Sequence, residues 1–208
     1  MSETETPSPE SELSAAVGNT KGIQPWRRVF HATNGTLVVL ALTVLGIPVS
    51  AAIVFLGVVL VLLLALDVLR LLDPEVNLLF FRTFAPLASP RESSNIASST
   101  WYALASLLAL LLFPLPYALA GILVLAWADP AANVVGQRWG RTGFMGGTLK
   151  GTGTFVTVAF LALVIFVPWP WALVTALVTG LVEALPVRVD DNLLVPLIVG
   201  GVLLLLGA

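Results

Sequence analysis

Asp129 stands between an apolar run and Pro130, in the stretch "WADPAANVVGQRWG" at 127–140. A proline there cannot continue the helical hydrogen-bond ladder without cost, so Asp129 is expected to close a helix. An ionisable group kept at the edge of an apolar run is expensive and marks a candidate functional position. Glycines then crowd residues 136–153, at 136, 140, 143, 146, 147, 151 and 153. Glycine accepts positive φ and lets backbone approach a ligand closely. Successive N–H groups in such a loop form an anion-binding nest. Arg138, Arg141 and Lys150 lie among these glycines and carry the charge to neutralise phosphate. The P-loop pattern GxxxxGK[ST] is absent. A juxtamembrane loop whose basic residues face anionic lipid heads is the competing reading.

A second cluster lies in "EALPVRVDDNLLVP" at 183–196. Glu183 ends one apolar run, and Asp190, Asp191 and Asn192 precede the next. One of these residues serves as an N-cap. Two adjacent carboxylates with an asparagine exceed that need and suit Mg²⁺, which binds one or two carboxylates together with substrate phosphates. The third cluster, "PWRRVFHATNG" at 25–35, holds Arg27, Arg28 and the only histidine, His31. His31 falls one turn after the arginines and is a candidate general base. In "LDVLRLLDPE" (66–75) Asp67 and Arg70 are three apart and able to pair, as an internal ion pair or in contact with substrate. "SSNIASSTWYALA" (93–105) offers Ser98, Ser99 and Thr100, one of them an N-cap. Anion donors, magnesium acceptors and an apolar setting together suit phosphoryl or nucleotidyl transfer to a lipid. That chemistry relies on positioning and electrostatic stabilisation.

The elements that position these groups are apolar helices. The 208 residues are 58% hydrophobic and 11% charged, against roughly 25% charged in soluble domains. A membrane-crossing helix takes about 20 apolar residues. Residues 29–72 hold two such helices with a break at "GIPVS". Residues 96–128 hold two more, broken at "FPLPY", and 152–185 another two, broken at "VPWPW". A single helix covers 193–206. The expected architecture is all-α, a polytopic membrane helical bundle of about seven transmembrane helices.

The three breaks at 46–50, 113–117 and 167–171 contain no charged residue. All ten cations (Lys21, Arg27, Arg28, Arg70, Arg82, Arg91, Arg138, Arg141, Lys150 and Arg188) fall in the tail, in the connections 67–95, 129–150 and 183–191, or beside them. Basic residues gather on the cytoplasmic side. The N-terminus and the candidate site are therefore expected to face the cytoplasm and the C-terminus the outside. Trp101, Trp169 and Trp171 sit where helix ends meet the headgroup layer. Residues 1–22, acidic and rich in Ser, Thr and Pro, read as a disordered tail without signal-peptide features. Residues 23–208 then form the membrane domain. With no cysteine and one histidine, disulfides, thiolate chemistry and multi-histidine metal sites are excluded.

Five blocks in order, "RRVFHATNG", "STWYALA", "ADPAANVVGQRWG", "GGTLKGT" and "EALPVRVDDNLLVP", resemble the dolichol kinase, phytol kinase and CTP-dependent diacylglycerol kinase family of integral membrane proteins. The resemblance runs from about Arg27 to Pro196. It implies transfer of the γ-phosphate of CTP to a lipid alcohol at a cytoplasm-facing site, with a divalent cation. By motif, Asp129, Ala132, Gly136 and Gly140 match the nucleotide-binding loop. Asn133, Thr148 and Gly151 lie in the same blocks and join that set with Arg138, Arg141 and Lys150. Glu183, Asp190, Asp191 and Asn192 match the second acidic block, and Arg28 and His31 the basic and histidine positions. The expected metal ligands are Asp129, Asp190, Asp191 and Glu183. The catalytic set is Asp129, His31, Asp190 and Asp191.

One departure stands out: Gly147 replaces the lysine and Lys150 the glutamate of the family's usual Lys-Thr/Ser-x-Glu-Gly-Ser stretch. The expected partners are CTP, a membrane lipid alcohol and the bilayer, with no nucleic acid. A cytidylyltransferase making a CDP-lipid is the alternative reaction, although the long Lys-Arg/Lys-Asp signature of phosphatidate cytidylyltransferases is absent. A non-catalytic membrane scaffold is the other alternative. A transporter would show polarity or broken helices near the midplane, whereas polarity here gathers at one face.

Overall fold

The computed structural model describes residues 9–22, 24–186 and 189–208. Residues 1–8 of the tail and Arg188 lie outside the described residues. Proline and glycine set most of the breaks. Helix α1 (Pro9–Gly18) precedes α2 (Pro25–Thr43), which carries Pro25 in its first turn. Gly46 turns the chain at φ 65°, a region that costs other residues roughly 1–2 kcal/mol. Pro48 then leads into α3 (Val49–Leu72). Asp73 caps α4 (Pro74–Thr83) by accepting a hydrogen bond from the Glu75 amide at 2.8 Å. A 3₁₀ turn at Pro90–Ser93 leads to α5 (Ser98–Leu112), and Pro114 separates it from α6 (Leu115–Trp139). A hairpin pairs β1 (Gly143–Phe144) with β2 (Gly147–Thr148) before α7 (Leu149–Leu163). Pro168 precedes α8 (Trp169–Glu183), and α9 (Asp191–Leu206) ends the chain.

Helix α6 is the hub, packed against α2, α5, α7 and α9. Ala118 through Ala126 are buried without interruption, so every face of this stretch meets protein. Small residues allow such close approach between apolar helices. A Cβ on Gly121 would come 2.8 Å from the Pro196 carbonyl oxygen of α9. Gly180 and Gly200 likewise admit Val156 and the ring of Phe113.

Among the described residues a helix forms on each of the seven apolar segments, although α2 is not apolar enough to count as a span. Among the described residues α3 and α6 are long and apolar enough to cross a membrane, and α5, α7, α8 and α9 are shorter apolar helices. α3 buries little of its surface and α6 most of it. The 15 residues of α5, α7 and α8 reach about 22 Å at the helical rise, less than the roughly 30 Å hydrocarbon core.

Four local expectations are corrected. Asp129 does not close a helix, because α6 continues through Pro130 to Trp139. The interruption costs about 3 kcal/mol, but Pro130 and its neighbours Ala128 and Ala132 are buried, which holds the helix together. The segment 129–150 is consequently no loop: Gly136 lies within α6, Gly143 and Gly147 in the hairpin, Gly151 and Gly153 in α7. In the tail, α1 forms and packs on α4, with Arg82 donating to Glu12 at 2.8 Å; composition alone missed this tertiary contact. The N-cap of α5 is Ala97, without a side-chain cap, because Ser98 and Thr100 are engaged elsewhere.

Asp67 and Arg70 form the expected pair, fully internal. Arg70 is 1% and Asp67 3% exposed, at 2.6 Å. Arg70 also donates to the Asn95 carbonyl at 2.6 Å and to that of Glu92. Asp67 accepts from the Thr100 hydroxyl at 2.6 Å and from the Ala97 amide. The network ties the end of α3 to the 90–100 segment, one wall of the cavity described next.

Candidate active site

The start of α2, the C-terminal half of α6 and the start of α9 meet around a polar cavity of about 250 Å³. Arg27, Arg28 and His31 enter it from α2, Asp129 and Asn133 from α6, and Asp190, Asp191 and Asn192 from α9. Residues more than 150 positions apart in sequence thus share one space. Arg27 is held by the Ser98 hydroxyl at 2.5 Å, by the Gln24 side chain at 3.2 Å and by Glu92 at 3.6 Å. Glu92 is itself fixed by the Ser98 amide and hydroxyl. Arg28 donates to the Pro130 carbonyl at 3.3 Å, and its Nε is buried with no partner among the described residues. A buried guanidinium N–H left unpaired is costly, and an anionic ligand would satisfy it.

The carboxylates are pre-oriented by their neighbours. Asp129 Oδ1 accepts from Asn133 Nδ2 at 2.9 Å. Asp190 caps α9, its Oδ1 accepting from the Asn192 amide at 3.0 Å and from Asn192 Nδ2 at 2.6 Å. One acidic residue is thus spent on the helix start, as its position implied, while Asp191 begins the helix itself. Among the described residues no three His, Asp or Glu side chains lie close enough to hold a metal ion by themselves. The donor set fits Mg²⁺ only as that ion usually binds, through one or two carboxylates completed by phosphate oxygens and water. Glu183, at the end of α8, does not line the cavity.

Of the glycine-rich segment 136–153 Gln137 lines this cavity, whereas its seven glycines and Arg138, Arg141 and Lys150 do not. Thr148 caps α7 through the Gly151 amide at 3.1 Å. Its hydroxyl sits where Cβ atoms on Gly136 or Gly151 would come 3.0 Å away. At Gly140 a Cβ would meet Thr148 and the Gly136 carbonyl. These three glycines pack α6 against the start of α7. Arg138, Arg141 and Lys150 are exposed, and Arg138 stacks on Trp139 at 5.3 Å.

Arg91, Ser89, Gln24, Gln137 and Thr20 also line the cavity, and sequence reading did not single them out as site residues. Arg91 carried a faint signal as a cation inside the proline-led turn "SPRES", but no spacing relates it to Asp129.

A second, larger cavity adjoins the first. An apolar groove of about 700 Å³ runs between α2, α3 and α5, lined by residues such as Leu37, Phe55, Leu56 and Ala103. His31 lines both spaces. Its ring meets Tyr102 edge-on at 5.1 Å, and the Tyr102 hydroxyl donates to the His31 carbonyl at 3.3 Å. The ring itself has no protein hydrogen bond among the described residues. A polar chamber and a greasy channel therefore join at one imidazole.

No protein-family model matches the chain, and no solved structure matches it. Among curated proteins it is 27% identical over 156 residues to a CTP-dependent diacylglycerol kinase of Schizosaccharomyces pombe, covering 64% of this chain and 70% of that protein. It is 30% identical over 115 residues to the Saccharomyces cerevisiae protein of the same name, covering 55% and 39%. To a phytol kinase of Synechocystis it is 37% identical over 95 residues, covering 39% and 40%. The match thus spans less than half of the latter two relatives. The chain is similar to curated lipid-alcohol kinases, and their names fall within the dolichol kinase, phytol kinase and CTP-dependent diacylglycerol kinase family that its own sequence blocks resemble.

Proposed function

We propose that the protein is a CTP-dependent kinase that transfers the γ-phosphate to the hydroxyl of a membrane lipid alcohol. The single observation that carries this reading is the shared wall at His31 between a charged cavity and an apolar groove. The charged cavity suits a triphosphate, with three arginines facing three carboxylates. At about 250 Å³ it is small beside ligand pockets of roughly 300–1,000 Å³, which suits the phosphates better than a whole nucleotide. The groove suits a long apolar body such as that of diacylglycerol, phytol, geranylgeraniol or dolichol.

In this reading the lipid lies along α2, α3 and α5 with its hydroxyl at the junction. His31, or the neighbouring Asp129, accepts the hydroxyl proton. The lipid oxygen forms its bond to the γ-phosphorus as the bond to the β,γ-bridging oxygen breaks, and CDP leaves. Arg27, Arg28 and Arg91 hold the phosphate oxygens and meet the charge that develops on them. Asp129, Asp190 and Asp191 are the residues that would hold Mg²⁺, which when bound with the nucleotide screens the phosphate charge. The lipid and the nucleotide approach from different directions, so no protein group need carry the phosphoryl group between them.

The surrounding topology belongs to the same proposal. Seven helices cross or enter the bilayer, with the cavity at the cytoplasmic boundary where the cations collect. The short helices are accommodated by local thinning. The test is label transfer by the purified full chain with magnesium and a panel of lipid alcohols. Label from γ-labelled CTP should appear in the lipid. Transfer from α-labelled CTP to a lipid phosphate instead would identify a cytidylyltransferase and overturn the kinase reading.

A further inference from the structure

Ser106 lies on α5 in the wall of the apolar groove, 0% exposed, and its hydroxyl has no hydrogen-bond partner among the described residues. Hydroxyls in apolar helices ordinarily return their proton to the carbonyl one turn earlier. Thr36, Thr43, Thr154 and Thr157 all do so in this molecule, at 2.7–2.8 Å. Ser106 does not. Thr175 and Thr179 of α8 share the lack of a partner, but neither lines the groove. A buried hydroxyl left unpaired against a mainly apolar channel calls for an acceptor from outside the chain.

Its depth says what kind of acceptor. Ser106 follows Tyr102 by one helical turn, about 5–6 Å along α5, and Tyr102 packs on His31 at 5.1 Å. On α2 Asn34 follows His31 by three residues, lines the same groove, and makes no side-chain hydrogen bond among the described residues. Two polar groups thus stand about one turn below the junction where the reacting hydroxyl would sit. In a diacylglycerol the ester carbonyls lie a few bonds from the free hydroxyl, at that depth. An isoprenoid alcohol presents only hydrocarbon there and leaves both groups unpaired. We propose that Ser106, with Asn34 of α2 at a similar depth, receives an ester carbonyl of the acceptor, so that the groove selects an acylated glycerol over a purely hydrocarbon alcohol. The inference rests on the reading that this groove takes the lipid acceptor.

The test compares dioleoylglycerol with its dialkyl ether analogue, which keeps the hydroxyl and chains but lacks both carbonyls. Binding of each is measured by competition against a fluorescent diacylglycerol, with the full chain in nanodiscs of ether-linked phospholipid. One neutral hydrogen bond predicts a preference of about five- to tenfold for the diester. Ser106→Ala should bring that ratio close to one. Equal binding of the two lipids by the unaltered protein overturns the proposal. So does a Ser106→Ala protein that weakens both lipids alike, which is what a merely structural serine would do. Label transfer from γ-labelled CTP is followed separately with dioleoylglycerol and phytol. Comparable kcat/KM for the two also overturns the ester proposal. A retained ester preference in binding with no phosphate transferred to any alcohol overturns the kinase reading and leaves the ester site standing.

Discussion

The cavity between α2, α6 and α9 and the glycine-rich turn between α6 and α7 both draw on stretches where the sequence sets charge beside apolar runs. In the fold they part company. The cavity gathers side chains from three helices, each already steered by a neighbour: Asp129 by Asn133, Asp190 by Asn192, Arg27 by Ser98. The turn keeps its cations in solvent and spends Gly136, Gly140 and Gly151 on close contact with Thr148. Convergence of groups from distant segments therefore marks the candidate site better than local density does. Glycine density at a helix pair has packing as its physical cause, since each missing Cβ lets two backbones approach.

Four experiments press on that contrast. The largest effect is expected at the wall of the cavity. Arg70→Ala leaves Asp67 buried without its partner, and loss of such a pair costs about 3–5 kcal/mol. Thermal unfolding in detergent should register this as a steep fall in Tm; an unchanged Tm would mean the wall is held by other contacts. Next comes Asp129→Asn, which keeps the Asn133 hydrogen bond but removes the charge. A fall in kcat/KM for CTP of roughly 10²–10³ is expected, as for loss of one preorganised electrostatic contact, with Tm nearly unchanged. Full activity in that variant would move the chemistry away from the cavity.

Gly140→Ala should act on the other region through packing. Its new methyl meets Thr148 and the Gly136 carbonyl, and overpacking of this kind costs about 1–3 kcal/mol. Stability read by Tm should drop well before the KM for CTP does. A large rise in KM with stability intact would restore the glycine segment as a phosphate cradle. The smallest effect is expected from Arg141→Ala, whose side chain is exposed and outside the cavity. Exposed charges contribute little, so the KM for CTP should move by less than about threefold. A tenfold rise would show that this cation reaches the nucleotide and would dissolve the contrast between the two regions.

The helices were legible in the sequence because their causes are local. Apolar runs end where Pro48, Pro114 and Pro168 deny the chain a donor, and Gly46 provides the left-handed turn between α2 and α3. Asp67 and Arg70 were legible as a pair through their spacing on one helix. Residue types also marked Arg28, His31, Asp129, Asp190 and Asp191 as chemistry-bearing, and all five line one cavity.

Other features depended on contacts between segments far apart in the chain. Helix α6 survives Pro130 because burial on several sides outweighs one broken rung. α1 orders because α4 offers it a surface. Arg91 reaches the cavity only because the Asp67–Arg70 network holds the 90–100 segment there. Local composition thus determined where helices begin, where they stop and which residues could do chemistry. Only the tertiary structure decided which of them meet, because a shared cavity is made by packing between helices and leaves no periodicity in any one of them.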